Sequence, residues 1–175
     1  MVSDDITAME VDAIVNTANT ALHMDSICDS IFYAAGIDKL QAACAEIAPI
    51  KVGEADVTPG FDLPARFIIH TATPIFKDGK HGEDELLEAC YVNSLKLAVL
   101  NNCKSVAFPL LSSGIYGYPQ KDILRIATAA IRGFLTEHEI NVYLIVPDRA
   151  SLSTLTRRLG SVENFLNWHY EGPDI

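Results

Sequence analysis

The chain has 175 residues, nearly half of them apolar, with a formal charge of −10 and four cysteines. That length fits one domain with a full hydrophobic core, while no apolar run reaches the ~18 residues of a membrane-spanning helix and the acidic start Met1-Val2-Ser3-Asp4-Asp5 is unlike a signal peptide. An acidic chain without a clustered basic run is a poor nucleic-acid binder, and Cys28, Cys44, Cys90 and Cys103 show neither CxxC pairs nor disulfide-scaffold density, so a reduced, cytoplasmic protein is expected.

In chain order, Val11 to Thr17 is apolar and β-branched and reads as a strand ending in a polar cluster. Asp38 to Ile47 carries Leu40, Ala43, Cys44 and Ile47 at helical spacing. Glu54 to Thr58 is a short strand stopped by Pro59-Gly60, and Arg66 to Ala72 holds the buried-strand run Phe67-Ile68-Ile69. Glu83 to Cys103 is a long amphipathic helix with Leu86, Leu87, Cys90, Leu95, Leu97, Ala98 and Leu100 on one broad face. Ser105 to Leu111 is a strand. Pro119 then opens a helix through Glu137, the first turn being where its missing N–H costs nothing. Asn141 to Val146 is a last strand, followed by a C-terminal helix around Leu155 to Trp168.

Strands alternating with helices predict an α/β domain with a largely parallel sheet covered on both faces. Ligands of such sheets lie beyond the carboxyl ends of the strands. Four polar segments follow predicted strands and should meet there: Asn16 to Ser26, Thr71 to Pro74, Ser112 to Tyr118, and Pro147 to Arg149.

Two of these segments carry chemistry. Ser112 to Pro119 has what a phosphate loop needs: Gly114 and Gly117 permit positive φ and close approach of a ligand, and the amides of Ser113 to Tyr116 can converge without a side-chain cation. The same composition also serves an ordinary strand-to-helix connection. Asn16-Thr17-Ala18-Asn19 offers donors and acceptors that suit ribose hydroxyls, and equally suits turns and caps. No Walker loop or GxGxxG is present. His23, His81, His138 and His169 lack metal-ligand spacing, so neither a metal nor a cofactor is expected. His70 reads as a hydrogen-bonded core residue.

Taken together, Asp5-Ile6-Thr7, Val11 to Thr20, Leu63 to Thr71 and Phe108 to Pro119 resemble, in order and spacing, the macro domain family over about residues 4 to 148. The resemblance implies one macro domain over residues 1–175, of bacterial type, a three-layer α/β/α fold with a mixed, largely parallel central sheet, with the family's first strand largely missing and the C-terminal helix at about 150–170. It implies binding of ADP-ribose, a related metabolite or an ADP-ribosylated protein, with hydrolysis of ADP-ribosyl or O-acetyl-ADP-ribose esters as one alternative and a non-binding interaction scaffold as another. By resemblance, Asp5 accepts from the adenine amino group beside the Ile6 backbone, and Asn19 faces the distal ribose. Ser113, Gly114, Ile115 and Tyr116 hold the phosphates by their amides, Tyr116 also covering the distal ribose.

The chain departs from that pattern mainly at Leu22 to Ile31, where relatives have a glycine run followed by Val-Asp-Gly and this chain has no glycine. Glycine-free backbone adopts positive φ reluctantly. Asp25 adds a charge: two unit charges ~4 Å apart at an effective dielectric of 20 interact by about 4 kcal/mol, so an inward carboxylate opposes a diphosphate and an outward one does not. The catalytic pair implied for a hydrolase is Asn19 and Asp29, counting forward from Asn19; counting back from Ala34-Ala35-Gly36 puts Cys28 in place of the acid. Thr73 stands where relatives often have Gly, and Pro147 where an aromatic often stacks on adenine.

Overall fold

The computed structural model describes residues 5–146. A five-stranded sheet of order β2-β3-β1-β4-β5 comprises β1 Ala13–Ala18, β2 Ala55–Pro59, β3 Phe67–Ala72, β4 Ser105–Phe108 and β5 Asn141–Leu144. All pairings are parallel except β2 against β3. The helices are α1 Asp29–Ala35, α2 Ile37–Ile47, α3 Glu83–Leu100 and α4 Gln120–Leu135.

Alternation along β1 explains the three layers. Ala13 and Val15 enter a core with Leu87, Tyr91, Leu95 and Ala127 from α3 and α4. Ile14 and Ala18 enter a second core with Phe32, Leu40 and Cys44 from α1 and α2. Covering both faces is what a parallel centre requires, because its strands are apolar on both sides.

Each predicted element within the described residues is present, with ends shifted by a few residues. Glu83–Leu100 stops before Cys103, and Leu100 is exposed, outside the buried face that Leu87, Cys90, Tyr91, Leu95 and Ala98 form. Its three leading acids, Glu83, Asp84 and Glu85, suit the positive end of a helix. Helix α1 was not among the elements read from periodicity. It has only seven residues, too few for a clear helical period. The expected helix around Leu155 to Trp168 and the segment Pro147 to Arg149 lie outside the described residues.

Candidate functional site

The carboxyl ends of β1, β3 and β4 deliver three of the polar segments to one edge, and hydrogen bonds join them. Thr73 N, after β3, donates to Ala18 O at the end of β1 (3.4 Å). Ser112 Oγ, after β4, donates to Pro74 O (2.9 Å), and Phe76 N donates to Tyr116 O (3.0 Å).

The Ser112 to Pro119 loop is held in shape by a few specific bonds and by two glycines of positive φ. Ser112 is buried in a left-handed conformation (φ 62°), a strained geometry for a non-glycine residue, and its hydroxyl bond to Pro74 holds it there. Leu111 N just before it donates to the buried hydroxyl of Tyr91 (3.2 Å). Gly114 (φ 73°) and Gly117 (φ 70°) bracket a 3-10 turn, and a Cβ on either would meet nothing within 4 Å. Gly117 N closes the turn on Gly114 O (3.1 Å), and Ser113 N reaches back to Leu110 O at 3.4 Å. Among the described residues, no acceptor meets the amides of Gly114, Ile115 or Tyr116. Ile115 is 79% exposed, whereas the Tyr116 side chain is buried at the cleft.

The facing wall, residues 19–28, is organised from within. Asn19 Nδ2 donates to His23 O (2.8 Å) and to Asp25 Oδ2 (2.9 Å), while Asn19 Oδ1 accepts from His23 N (3.1 Å). Asp25 Oδ1 accepts from Ile27 N (2.9 Å), Cys28 N (3.2 Å) and the Cys28 thiol (3.3 Å). Burial would raise the Asp25 carboxyl, but the bonds from Asn19, Ile27 and Cys28 outweigh it and hold the group below the ordinary carboxylate value. Asp25 is therefore ionised at neutral pH. It is half-buried and tied into its own loop, and its charge helps raise the Tyr116 hydroxyl, second to burial.

The glycine-free loop meets its conformational demand at Leu22, which takes positive φ (54°) and is buried among apolar neighbours. Gln41 of α2 fixes the loop from behind, donating to Leu22 O (3.3 Å) and accepting from Met24 N (3.2 Å). Nothing in the local sequence signals that contact. The Asp25 turn does have a signal, since an Asp side chain readily accepts from backbone amides two and three residues on, as it does here from Ile27 and Cys28.

Cys28 is 1% exposed, and burial pushes its thiol up to about 12, which rules out a thiolate nucleophile at neutral pH. Asp29 is the first residue of α1. Beneath the site, Asn16 Nδ2 donates to His70 Nδ1 (3.1 Å) across the register that pairs these residues. That leaves the ring proton on Nε2, 2.9 Å from Thr58 Oγ1. His70 is fully buried, and desolvation lowers it to about 4, so it is the neutral, hydrogen-bonded core residue expected.

Asp5 lies at the start of the described chain, its Oδ1 accepting from Thr7 N (3.0 Å) and Thr7 Oγ1 (2.7 Å), with Ile6 following in a 3-10 turn. Asp78, His81 and Glu83, unconnected by spacing, also come together, their donor atoms within 4.8 Å. His81 pairs with Asp78 (2.9 Å), and Glu83 accepts from the amides of Lys77, Asp78, Gly79 and His81, so this group fastens the 77–82 loop. Among the described residues, no helix is long and apolar enough to cross a membrane.

Comparison with known proteins gives a consistent result. The family description "Macro domain" matches residues 15–127. A macro domain-containing protein of Chlorobaculum tepidum is 47% identical over 133 residues, covering 76% of this chain and 77% of that protein. An O-acetyl-ADP-ribose deacetylase of Escherichia fergusonii is 39% identical over 161 residues, covering 89% and 90%. A solved structure of a point mutant of the Oceanobacillus iheyensis macrodomain with ADPR superposes with a TM-score of 0.84 at 34% identity, covering 93% and 92% of the two chains.

Proposed function

The chain belongs to the macro domain family, and from that premise we propose that its cleft binds ADP-ribose, free or attached to a protein, with the diphosphate on the amides of the Gly114–Tyr116 turn. The observation that carries this reading is the set of three amides that meet no acceptor among the described residues, in a turn bracketed by two glycines of positive φ. Each hydrogen bond to a charged partner contributes roughly 1.5–3 kcal/mol, so three amides supply a strong anion site without a cation, consistent with the acidic chain. The Oceanobacillus macrodomain carries ADPR in a chain of the same fold.

The remaining contacts follow the resemblance: Asp5 Oδ2 and the Ile6 backbone toward adenine, Ser113 beside the phosphates, Asn19 and Tyr116 toward the distal ribose. Both Asn19 donors are already committed within its loop, so in this conformation Asn19 meets a ribose hydroxyl as an acceptor. Calorimetric titration with ADP-ribose, with AMP as control, tests the reading. Saturable binding with AMP weaker is expected; no heat at millimolar ADP-ribose would refute it.

Ester hydrolysis is the second reading, favoured by the similarity to the deacetylase. Asn19 and Asp29 are its candidate residues. Release of ADP-ribose from a modified glutamate peptide, abolished by changing either residue, would support it.

A further inference from the structure

The two walls of the cleft treat their polar groups in opposite ways. On one side the amides of Gly114, Ile115 and Tyr116 are unclaimed among the described residues. On the other, a single carboxylate claims almost everything a ligand could use. Asp25 Oδ1 takes the amides of Ile27 and Cys28, and Asp25 Oδ2 takes one Asn19 proton, the other going to His23 O.

Resting on the ADP-ribose reading, we propose that Asp25 is a resident anion that fills the second half of the phosphate clamp and thereby sets the ligand selectivity of the cleft. A bound ADP-ribose is held by its phosphates on the Gly114–Tyr116 side. Its distal half, the second phosphate and the terminal ribose, meets a like charge instead of two free amides and an Asn19 donor. Like charges in a partly buried site repel far more than in water. The distal half then adds little affinity, and the cleft separates ADP-ribose from AMP only weakly.

Three observations support this assignment independently of the ligand. The carboxylate has four donors from its own loop, so it holds its place without a ligand. Its charge lies within electrostatic reach of Tyr116 on the other loop, where it adds to burial in raising the hydroxyl. The loop is also pinned from behind by Gln41 and by buried Leu22, which opposes swinging the carboxylate out as a unit. Acidification offers no clean test, because neutralising Asp25, held below the ordinary carboxylate value, also charges His70, which lies at about 4.

The experiment is a pair of titrations, ADP-ribose and AMP, on the wild-type chain and on Asp25→Asn. Asparagine keeps an acceptor for Ile27 N and Cys28 N but removes the charge and releases an Asn19 proton. ADP-ribose should tighten tenfold or more while AMP changes by less than about threefold, since a tenfold change needs only ~1.4 kcal/mol. Asp25→Ser, which keeps a short acceptor for the turn, is the second variant should Asp25→Asn fold poorly. A loosened loop would shift both ligands together, and that result overturns the proposal. So does an unchanged or weaker ADP-ribose affinity in a folded variant, although wild-type binding would then leave the ADP-ribose reading standing. Absence of ADP-ribose binding in the wild type and both variants overturns both.

Discussion

Replacing Gly114 by Glu puts the phosphate-loop assignment under direct strain. Gly114 has φ 73° and an ideal Cβ there meets nothing within 4 Å, so the substitution has room. Its structural cost is the left-handed backbone of a non-glycine residue, about 1–2 kcal/mol. For a domain of this size that lowers the melting temperature by roughly 2–8 °C. The functional cost is larger. A carboxylate ~5 Å from a bound phosphate, at an effective dielectric of 20, is repelled by about 3 kcal/mol, a loss of roughly 150-fold in affinity. Ligand at one hundred times the wild-type Kd stabilises the wild type by about 2.7 kcal/mol. The same concentration stabilises Gly114→Glu by only about 0.3 kcal/mol. Thermal unfolding with and without ADP-ribose reads both effects, and Gly114→Ala separates them: it carries the backbone strain without the charge. If Gly114→Glu gains as much from ADP-ribose as the wild type does, the ligand is not on these amides and the site assignment is wrong.

Tyr91→Phe should act on the same loop from beneath: it leaves the buried Leu111 N–H without its acceptor, costing about 1–3 kcal/mol. The expected result is a melting temperature lower by several degrees, with weaker ADP-ribose binding by calorimetry. His70 predicts a pH dependence. Its folded-state value, about 4, lies below the ordinary 6.5 because of burial, so the unfolded chain binds the extra proton between these values. Stability is therefore full above pH 6.5 and falls as pH drops toward 4, by up to about 3 kcal/mol over that window. Urea unfolding at pH 7 and pH 5 should show the loss, and a folded His70→Gln variant should lack most of it. An equal loss in that variant would exclude His70 as the cause.

How much of this was legible in the sequence depends on how local each determinant is. The strand β3 announces itself as Phe67-Ile68-Ile69, and α4 as apolar residues at helical spacing after Pro119, because burial on a sheet or helix face imposes a period. The Gly114–Tyr116 turn was legible because positive φ at both flanking positions favours glycine. Helix α1 escaped periodicity because it is short, and the facing loop escaped because its determinants are not local. Positive φ falls on Leu22, where burial beneath the loop overrides the usual preference. The Gln41 bonds come from a helix about twenty residues away in sequence. Sequence also left open whether Asp25 points in or out; the carboxylate is half-buried and bound by its own loop.

That last arrangement bears on how a glycine run can be replaced at all. A glycine loop leaves its amides free to serve the ligand, and its backbone is held by little else. Here the amides of Ile27 and Cys28 are satisfied by Asp25, and Asn19 is satisfied by the same carboxylate and by His23. The loop is thus ordered before any ligand arrives, and the entropy of ordering it is spent in folding rather than in binding. The consequence is an asymmetric clamp. Three amide contacts on one wall, at roughly 1.5–3 kcal/mol each, are opposed by one fixed charge on the other, which at the ~4 Å to ~5 Å separations considered above offsets one or two of them. On the proposed ADP-ribose reading, affinity depends on the Gly114–Tyr116 side and on the adenosine half, and the Asp25 side decides how much the distal ribose adds. Asp25 cannot stand in for the Asp29 of the hydrolase reading: it already accepts four hydrogen bonds and is held below the ordinary carboxylate value, which makes it a poor general base.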